Sequence, residues 1–169
     1  MSNKSQHDRH DVPPAIFHTV VKHTPLISID LIVEVDGKVL VGERINRPAR
    51  GTLFVPGGRI RKDETIFQAF RRIAQVEIGL DVDITSDADF LGVFEHFYTD
   101  STLDEDTSTH YVVLGYTLSC DMEHIDSGRL MTQHRKYTFL TPAELLDNTQ
   151  VHENTKVYAR ILGGLDETE

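Results

Sequence analysis

The sequence has no long apolar run and only one cysteine, and both scarcities limit where the protein can work. No stretch approaches the roughly 20 consecutive apolar residues of a membrane span, and the polar residues 1–14 lack the apolar segment of a signal peptide. The single cysteine, Cys120, excludes an intrachain disulfide and favours a reducing compartment. We therefore predict a soluble, cytoplasmic protein without a membrane partner.

Positive charge is also scarce, except in one segment. The chain has a net charge of −10, which argues against nucleic acid as a partner. Residues 44–62 nevertheless contain six arginines and lysines and no acid, so this segment alone carries +6. A local cationic patch on an acidic protein fits a small polyanion such as a nucleotide diphosphate, although a solvated basic loop has the same composition.

The 169 residues suffice for one domain with a sizeable core, and their patterns predict mixed α/β structure. Residues 1–13 are predicted to be a flexible lead-in and 14–169 a single domain. The alternation of residues 26–35, with Ile29 and Leu31 on one face and Ser28 and Asp30 on the other, predicts a strand. Further strands are predicted at residues 39–44, 53–55, 90–98, 110–119 and 137–140. Asp36-Gly37 predicts a hairpin after the first strand, and Pro56-Gly57-Gly58 a sharp turn. Helices are predicted at residues 15–22, 65–78 with Asp63 as N-cap, from Thr141 with Glu144 in a capping box, and 154–162.

The segment GGRIRKDETIFQAFRRIAQVEIGL, residues 57–80, has the spacing of a known catalytic motif. It resembles the Nudix box, G-x5-E-x7-R-E-U-x-E-E-x-G-U, where U is a bulky aliphatic residue. Six positions match: Gly58, Glu64, Arg72, Glu77, Gly79 and Leu80. The resemblance implies the Nudix fold, an α/β/α sandwich with a mixed β-sheet and a loop-helix-loop that carries the box.

Two acids of that box are missing. Ile73 and Val76 stand where the pattern has glutamates, and Ala74 fills an aliphatic position. On a helix, residues three and four apart project together, so these positions would share a face with Glu77. Ile73 and Val76 cannot bind Mg²⁺, which takes oxygen ligands. A cluster of metal ions on this helix is therefore excluded, whereas a single ion on Glu77 is not.

Other segments narrow the resemblance to one branch of the family. TPLISIDLIVE, GERINRPARGTLFVPGGRIRKDET, EHFY, THYVVLGY and QHRKY look like the GDP-mannose mannosyl hydrolases over roughly residues 20–160. That branch carries the same depleted box. The resemblance implies hydrolysis of GDP-mannose, and of GDP-glucose, to GDP and free sugar with inversion, one Mg²⁺ (or Mn²⁺), a homodimer, and a link to GDP-sugar supply for surface polysaccharides.

The altered box and this chemistry agree. If water attacks the anomeric carbon, the diphosphate leaves intact, and one Mg²⁺ and a few arginines can carry its charge. The sugar would pass through an oxocarbenium-like state, as in glycoside hydrolysis.

The resemblance also assigns roles to residues of this chain. By that match, the catalytic residues are His134 as general base, Arg44 at the leaving group and Asp30 at the sugar. The metal ligands are Gly57 through its carbonyl, Glu77 and Gln133. The substrate contacts are Arg59, Arg72, His96, Tyr111 and Tyr137.

Each role has a plainer alternative when the residues are considered alone. His134 suits proton transfer near neutral pH, but the chain has nine histidines, most of which need no function. Glu77 could form a salt bridge with Arg71 or Arg72. Tyr111 could equally serve in packing rather than in substrate binding. Arg72 is also the usual partner of Glu64 in Nudix proteins.

Two further functions stay open. One is a Nudix enzyme that cleaves between phosphates, as with ADP-ribose, which the missing acids disfavour. The other is a sensor that binds a nucleotide sugar without turnover. The acidic loop at 99–108 departs from the branch, and its charge would oppose a diphosphate if it folded over the site.

Overall fold

The computed structural model describes residues 12–121 and 134–165. In these residues the helices are α1 (Pro14–His23), α2 (Ile66–Glu77), α3 (Pro142–Asp147) and α4 (Glu153–Leu162). The strands are β1 (Leu26–Val35), β2 (Lys38–Arg44), β3 (Leu53–Phe54), β4 (Gly57–Arg59), β5 (Ala88–Tyr98), β6 (Thr109–Ser119) and β7 (His134–Leu140). None of the described helices is both long and apolar enough to cross a membrane. The predicted lead-in falls almost entirely on residues 1–11, outside the described residues.

The seven described strands form one mixed sheet. Five of them follow the order β3-β2-β1-β6-β5, while β4 pairs with β1 and β7 pairs with β2. β1 and β6 are parallel, and the other pairs are antiparallel. One edge of β1 changes partner: residues 28–30 pair with β4, whereas Glu34 and Val35 pair with β2. This change of partner opens the sheet between β2 and β4, where the candidate site lies.

Helices cover both faces of the sheet. On one face Phe70, Ile73 and Ile78 of the α2 region pack against β1. On the other face Leu145 of α3 and Tyr158 of α4 pack against Ile32. The predicted α/β/α sandwich is therefore confirmed, and β1 is buried on both faces.

The local predictions were correct in most elements and wrong in two. The hairpin at Asp36-Gly37 is present, with positive φ at both residues, and Thr141 and Glu144 form the predicted capping box. The N-cap of α2 is Thr65, not Asp63, because Thr65 and Gln68 form a reciprocal capping box. Residues 56–58 are not a free sharp turn, because Gly57–Arg59 form β4 and pair with β1.

Candidate functional site

A small pocket of about 140 Å³ lies where β1, β2, β4, β5 and β6 meet. Six of the residues proposed from the sequence line it: Asp30, Arg44, Gly57, Arg59, His96 and Tyr111. Ser28, Pro48, Phe54, Val55, Gly58 and Tyr98 complete the wall. Substrate pockets commonly measure 300–1,000 Å³, so this one accommodates only part of a nucleotide-sized ligand.

Asp30 and Gly57 face each other across the β1–β4 pair. A Cβ at Gly57 would lie 2.6 Å from Oδ1 of Asp30 and 2.7 Å from the carbonyl oxygen of Ile29, so only glycine fits. Gly57 and Gly58 are absent from the positive-φ residues of the described chain, so close approach alone explains this requirement. Asp30 is 6% exposed, and burial raises its pKa to about 7, against the opposing effects of Tyr158 and Arg44.

Arg44 supplies positive charge to the pocket from the end of β2. Its Nε donates to the carbonyl oxygen of Pro48 at 2.9 Å, and its guanidinium lies 5.4 Å from the centre of the Phe54 ring. Arg59 lies across the pocket, with its guanidinium 4.2 Å from the centre of the Phe17 ring. Each guanidinium therefore lies against an aromatic ring, and such a contact helps to orient it.

His96 and Tyr111 form the β5–β6 side of the pocket. His96 is buried, and burial lowers its pKa to about 4, so its ring is neutral at neutral pH. Its neighbour Tyr98 accepts a hydrogen bond from Nδ2 of Asn154 on α4. Burial raises the pKa of the Tyr111 hydroxyl, because it also disfavours the charged form of that group.

Glu77 lies at the end of α2 and is 4% exposed. Its Oε2 has no hydrogen-bond partner among the described residues, and burial raises its pKa to about 7. The salt bridges considered for it do not form, because Arg71 pairs with Asp81 and Arg72 with Glu64. A buried carboxylate oxygen that no described residue binds fits the ligand preference of Mg²⁺.

The two positions that lack the box acids lie in different environments. Ile73 is 1% exposed and packs under β4, whereas Val76 is 42% exposed. Within residues 12–121 and 134–165, no group of three His, Cys, Asp or Glu side chains comes together to hold a metal ion. Glu77 is therefore the carboxylate that the described part of α2 offers to a metal.

Arg72 stands apart from the pocket lining. Its guanidinium donates to both oxygens of Glu64, at 2.6 and 2.7 Å, and to the carbonyl oxygen of Arg59 at 2.9 Å. This is the structural role expected of the pair in Nudix proteins. A substrate contact by Arg72 stays a prediction.

The β7 residues are described in part. Tyr137 lies on β7, and burial and the nearby charge of Glu77 raise its pKa. The backbone of His134 begins β7 opposite Arg44, a residue of the pocket wall. Gln133 lies outside the described residues, so its predicted metal contact is untested.

Acidic side chains of the loop at residues 99–108 form ion pairs with the basic segment at residues 44–62. Arg47 forms ion pairs with Glu105 and with Asp100, and His18 lies 3.1 Å from Asp104. Arg47 is therefore engaged by two acids of this loop, and the cationic patch near the pocket is smaller than the sequence suggests.

Sequence reasoning missed the support that α4 gives to the pocket. The hydroxyl of Tyr158 donates to Oδ2 of Asp30 at 2.8 Å. In sequence, Tyr158 continues the apolar spacing of an amphipathic helix, which indicates packing and gives no sign of a polar contact.

Comparison with known proteins defines the family. The NUDIX domain profile matches residues 24–161. The chain belongs to the Nudix family. This Nudix hydrolase is 38% identical over 131 residues to the low-salt glycan biosynthesis protein Agl8 of Haloferax volcanii, covering 78% of this chain and 80% of that protein. It is 32% identical over 94 residues to an ADP-ribose pyrophosphatase of Methanocaldococcus jannaschii, covering 56% of this chain and 50% of that protein.

Solved structures agree on the fold. The MutT protein of Methanosarcina mazei Go1 superposes with a TM-score of 0.68 at 15% identity, covering 86% of this chain and 99% of that one. The NUDIX domain of Shewanella oneidensis NrtR, solved with ADP ribose, superposes with a TM-score of 0.63 at 16% identity, covering 98% and 100%.

Proposed function

We propose that this Nudix hydrolase cleaves GDP-mannose, and GDP-glucose, to GDP and free sugar by attack of water at the anomeric carbon with inversion. The observation that carries the proposal is the environment of Glu77. It is a buried carboxylate whose Oε2 has no hydrogen-bond partner among the described residues, on a helix where Ile73 and Val76 replace the two other acids of the box. One metal on a leaving diphosphate needs no more carboxylates than this, whereas clustered metals around an attacked phosphorus do.

The residues divide into two groups in this proposal. Arg44 and Arg59 bind the diphosphate, where guanidinium forks match phosphate oxygens. Asp30, in the small inner pocket, faces the sugar, and its negative charge stabilises the positive charge that develops at the anomeric carbon. His134 takes a proton from the attacking water while the bond from the anomeric carbon to the diphosphate oxygen breaks and GDP leaves with the electron pair.

Glu77, Gln133 and the carbonyl of Gly57 would hold Mg²⁺, or Mn²⁺, which supplies positive charge to the leaving diphosphate. The glycan-biosynthesis name of the Haloferax relative supports a sugar-linked substrate. The homodimer and the cytoplasmic location stay predictions, and light scattering measures the first.

A second candidate is cleavage between the phosphates of a nucleoside diphosphate derivative. The identity to an archaeal ADP-ribose pyrophosphatase favours it. The hydrocarbon at positions 73 and 76 opposes it, because that reaction commonly gathers several metal ions.

Hydrolysis in ¹⁸O-labelled water separates the two candidates. GDP-mannose is incubated with the protein and Mg²⁺, and the products are analysed by mass spectrometry. We expect the label in mannose and none in GDP. Label in a phosphate would overturn attack at carbon, and binding without any product would favour the sensor.

A further inference from the structure

Three buried polar side chains form a hydrogen-bonded chain that runs from the wall of the pocket into α4. The hydroxyl of Tyr158 lies 2.8 Å from Oδ2 of Asp30 and 3.4 Å from Nε2 of His96. Tyr158 is 1% exposed and His96 4%. Asp30 and His96 line the pocket, whereas Tyr158 lies behind them.

The hydrogen inventory fixes the direction of this chain. A phenol has one proton, and the ionised Asp30 carboxylate can only accept, so Tyr158 donates to Oδ2 of Asp30. The phenol oxygen can then accept from Nε2–H of a neutral His96. The lowered pKa of His96 and the raised pKa of Tyr158 agree with a neutral ring and a protonated phenol.

The hydrogen bond from Tyr158 fixes the orientation of the Asp30 carboxylate. Because Oδ2 is bound to Tyr158, Oδ1 is the oxygen that faces Gly57 at the pocket wall. One turn earlier on α4, Asn154 donates to the hydroxyl of Tyr98 on the same wall. Helix α4 therefore supports the pocket from behind at two points four residues apart.

We propose that Tyr158 is a positioning residue for this Nudix hydrolase: its hydroxyl orients the Asp30 carboxylate toward the sugar of a bound nucleotide sugar. This inference rests on the proposed function, since it assigns Asp30 to the sugar. Tyr158 itself touches no substrate.

Tyr158→Phe tests the hydroxyl while keeping the ring, which packs edge-on against Phe94 with centroids 5.0 Å apart. We expect kcat for GDP-mannose to fall about 10- to 100-fold, the usual effect of losing one hydrogen bond to a charged group, with KM within about threefold. Tyr116→Phe is the matched control. Tyr116 packs on the α2 side of the sheet against Phe70, and its variant should retain the activity of the unmodified protein.

A double-mutant cycle separates positioning from packing. If Tyr158 acts through Asp30, Tyr158→Phe should change kcat less than about threefold in an Asp30→Asn background. A purely structural role would reduce kcat by the same factor in both backgrounds. Additive losses would therefore overturn the proposal, as would full activity of Tyr158→Phe.

Failure of the proposed function gives a different result. If the unmodified protein hydrolyses ADP-ribose and no GDP-sugar, the proposed function is overturned, and the same cycle on ADP-ribose decides the role of Tyr158. If neither compound is hydrolysed, the cycle is measured on the calorimetric affinity for GDP-mannose, where additive losses or no binding would overturn the positioning role.

Discussion

The side chain of Ile73 lies directly against Gly58, so that a Cβ at Gly58 would be 3.2 Å from Cγ1 of Ile73. This contact explains the form of the depleted box. The first missing glutamate has been replaced by part of the core beneath β4, and the second by an exposed valine. The two positions should therefore respond very differently when an acid is restored.

Ile73→Glu should destabilise the protein strongly, by about 3 kcal/mol or more, because it buries a carboxylate and removes packing under β4. Val76→Glu is the matched variant and should change the free energy of unfolding by less than about 0.5 kcal/mol, because that position is exposed. Urea denaturation of both variants measures the difference. Equal costs would show that Ile73 is not a core residue.

Glu77→Gln should separate stability from metal binding. Removing a buried charge whose Oε2 has no partner among the described residues should raise the free energy of unfolding by about 1 kcal/mol without Mg²⁺. The variant should lose the rise in Tm that Mg²⁺ with GDP gives the unmodified protein. Glu95→Gln is the control, since that carboxylate is exposed beside His110. An unchanged response to Mg²⁺ and GDP would remove Glu77 from the metal site.

Gly57→Ala should damage both the sheet and the site, because the added methyl meets the backbone oxygen of Ile29 and the Asp30 carboxylate. We expect a loss of about 2 kcal/mol or more in the free energy of unfolding. Gly58→Ala should cost less, because its methyl meets side-chain atoms of Ile73, the nearest at 3.2 Å, and no backbone atom. Thermal denaturation of the pair gives the order, and a reversed order would contradict the close approach at Gly57.

His96 should make the protein less stable in mild acid. Its folded pKa of about 4 lies below the ordinary 6.5 because of burial and the nearby His152 and Arg44. Between these values the unfolded chain binds a proton that the folded protein does not, so stability is lost as the pH falls from 7 to 5. The loss should be on the order of 2 kcal/mol.

His96→Gln supplies the comparison for that pH effect. Asp30, with its raised pKa, acts in the opposite direction and is present in both proteins. Urea denaturation at pH 7 and pH 5 should show a steeper decline for the unmodified protein than for the variant. Parallel declines would mean that His96 is protonated in the folded state.

Much of the fold could be predicted from the sequence because its signals are local. The bounds of β1 are those predicted from alternation, and the Thr141–Glu144 capping box is as expected. The Asp63 prediction failed because two residues near the start of α2 can cap it, and only the reciprocal bonds of Thr65 and Gln68 decide. The short β4 was missed because two glycines indicate a turn equally well.

Six residues of the pocket wall could be named from the sequence because the family resemblance covers them, whereas the support behind the wall could not. The burial of Asp30 could not be inferred from its strand alone, because the covering helix α4 begins more than 120 residues later. For the same reason no spacing links Asp30 to Tyr158. Long-range contacts of this kind depend on the packing of the whole sheet.

The change of partner along β1 has a consequence for redesign of this enzyme. The arginines that face the pocket come from β2 and β4, whereas the supports behind Asp30 and Tyr98 come from α4. Under the proposed function, the arginines that bind the leaving diphosphate therefore lie in the sheet, whereas the residues that support the sugar side of the pocket lie in the α4 layer. Substitutions in α4 should change which sugar is accepted and leave the binding of the diphosphate intact. A library of variants restricted to α4 is therefore a rational starting point for changing the sugar specificity.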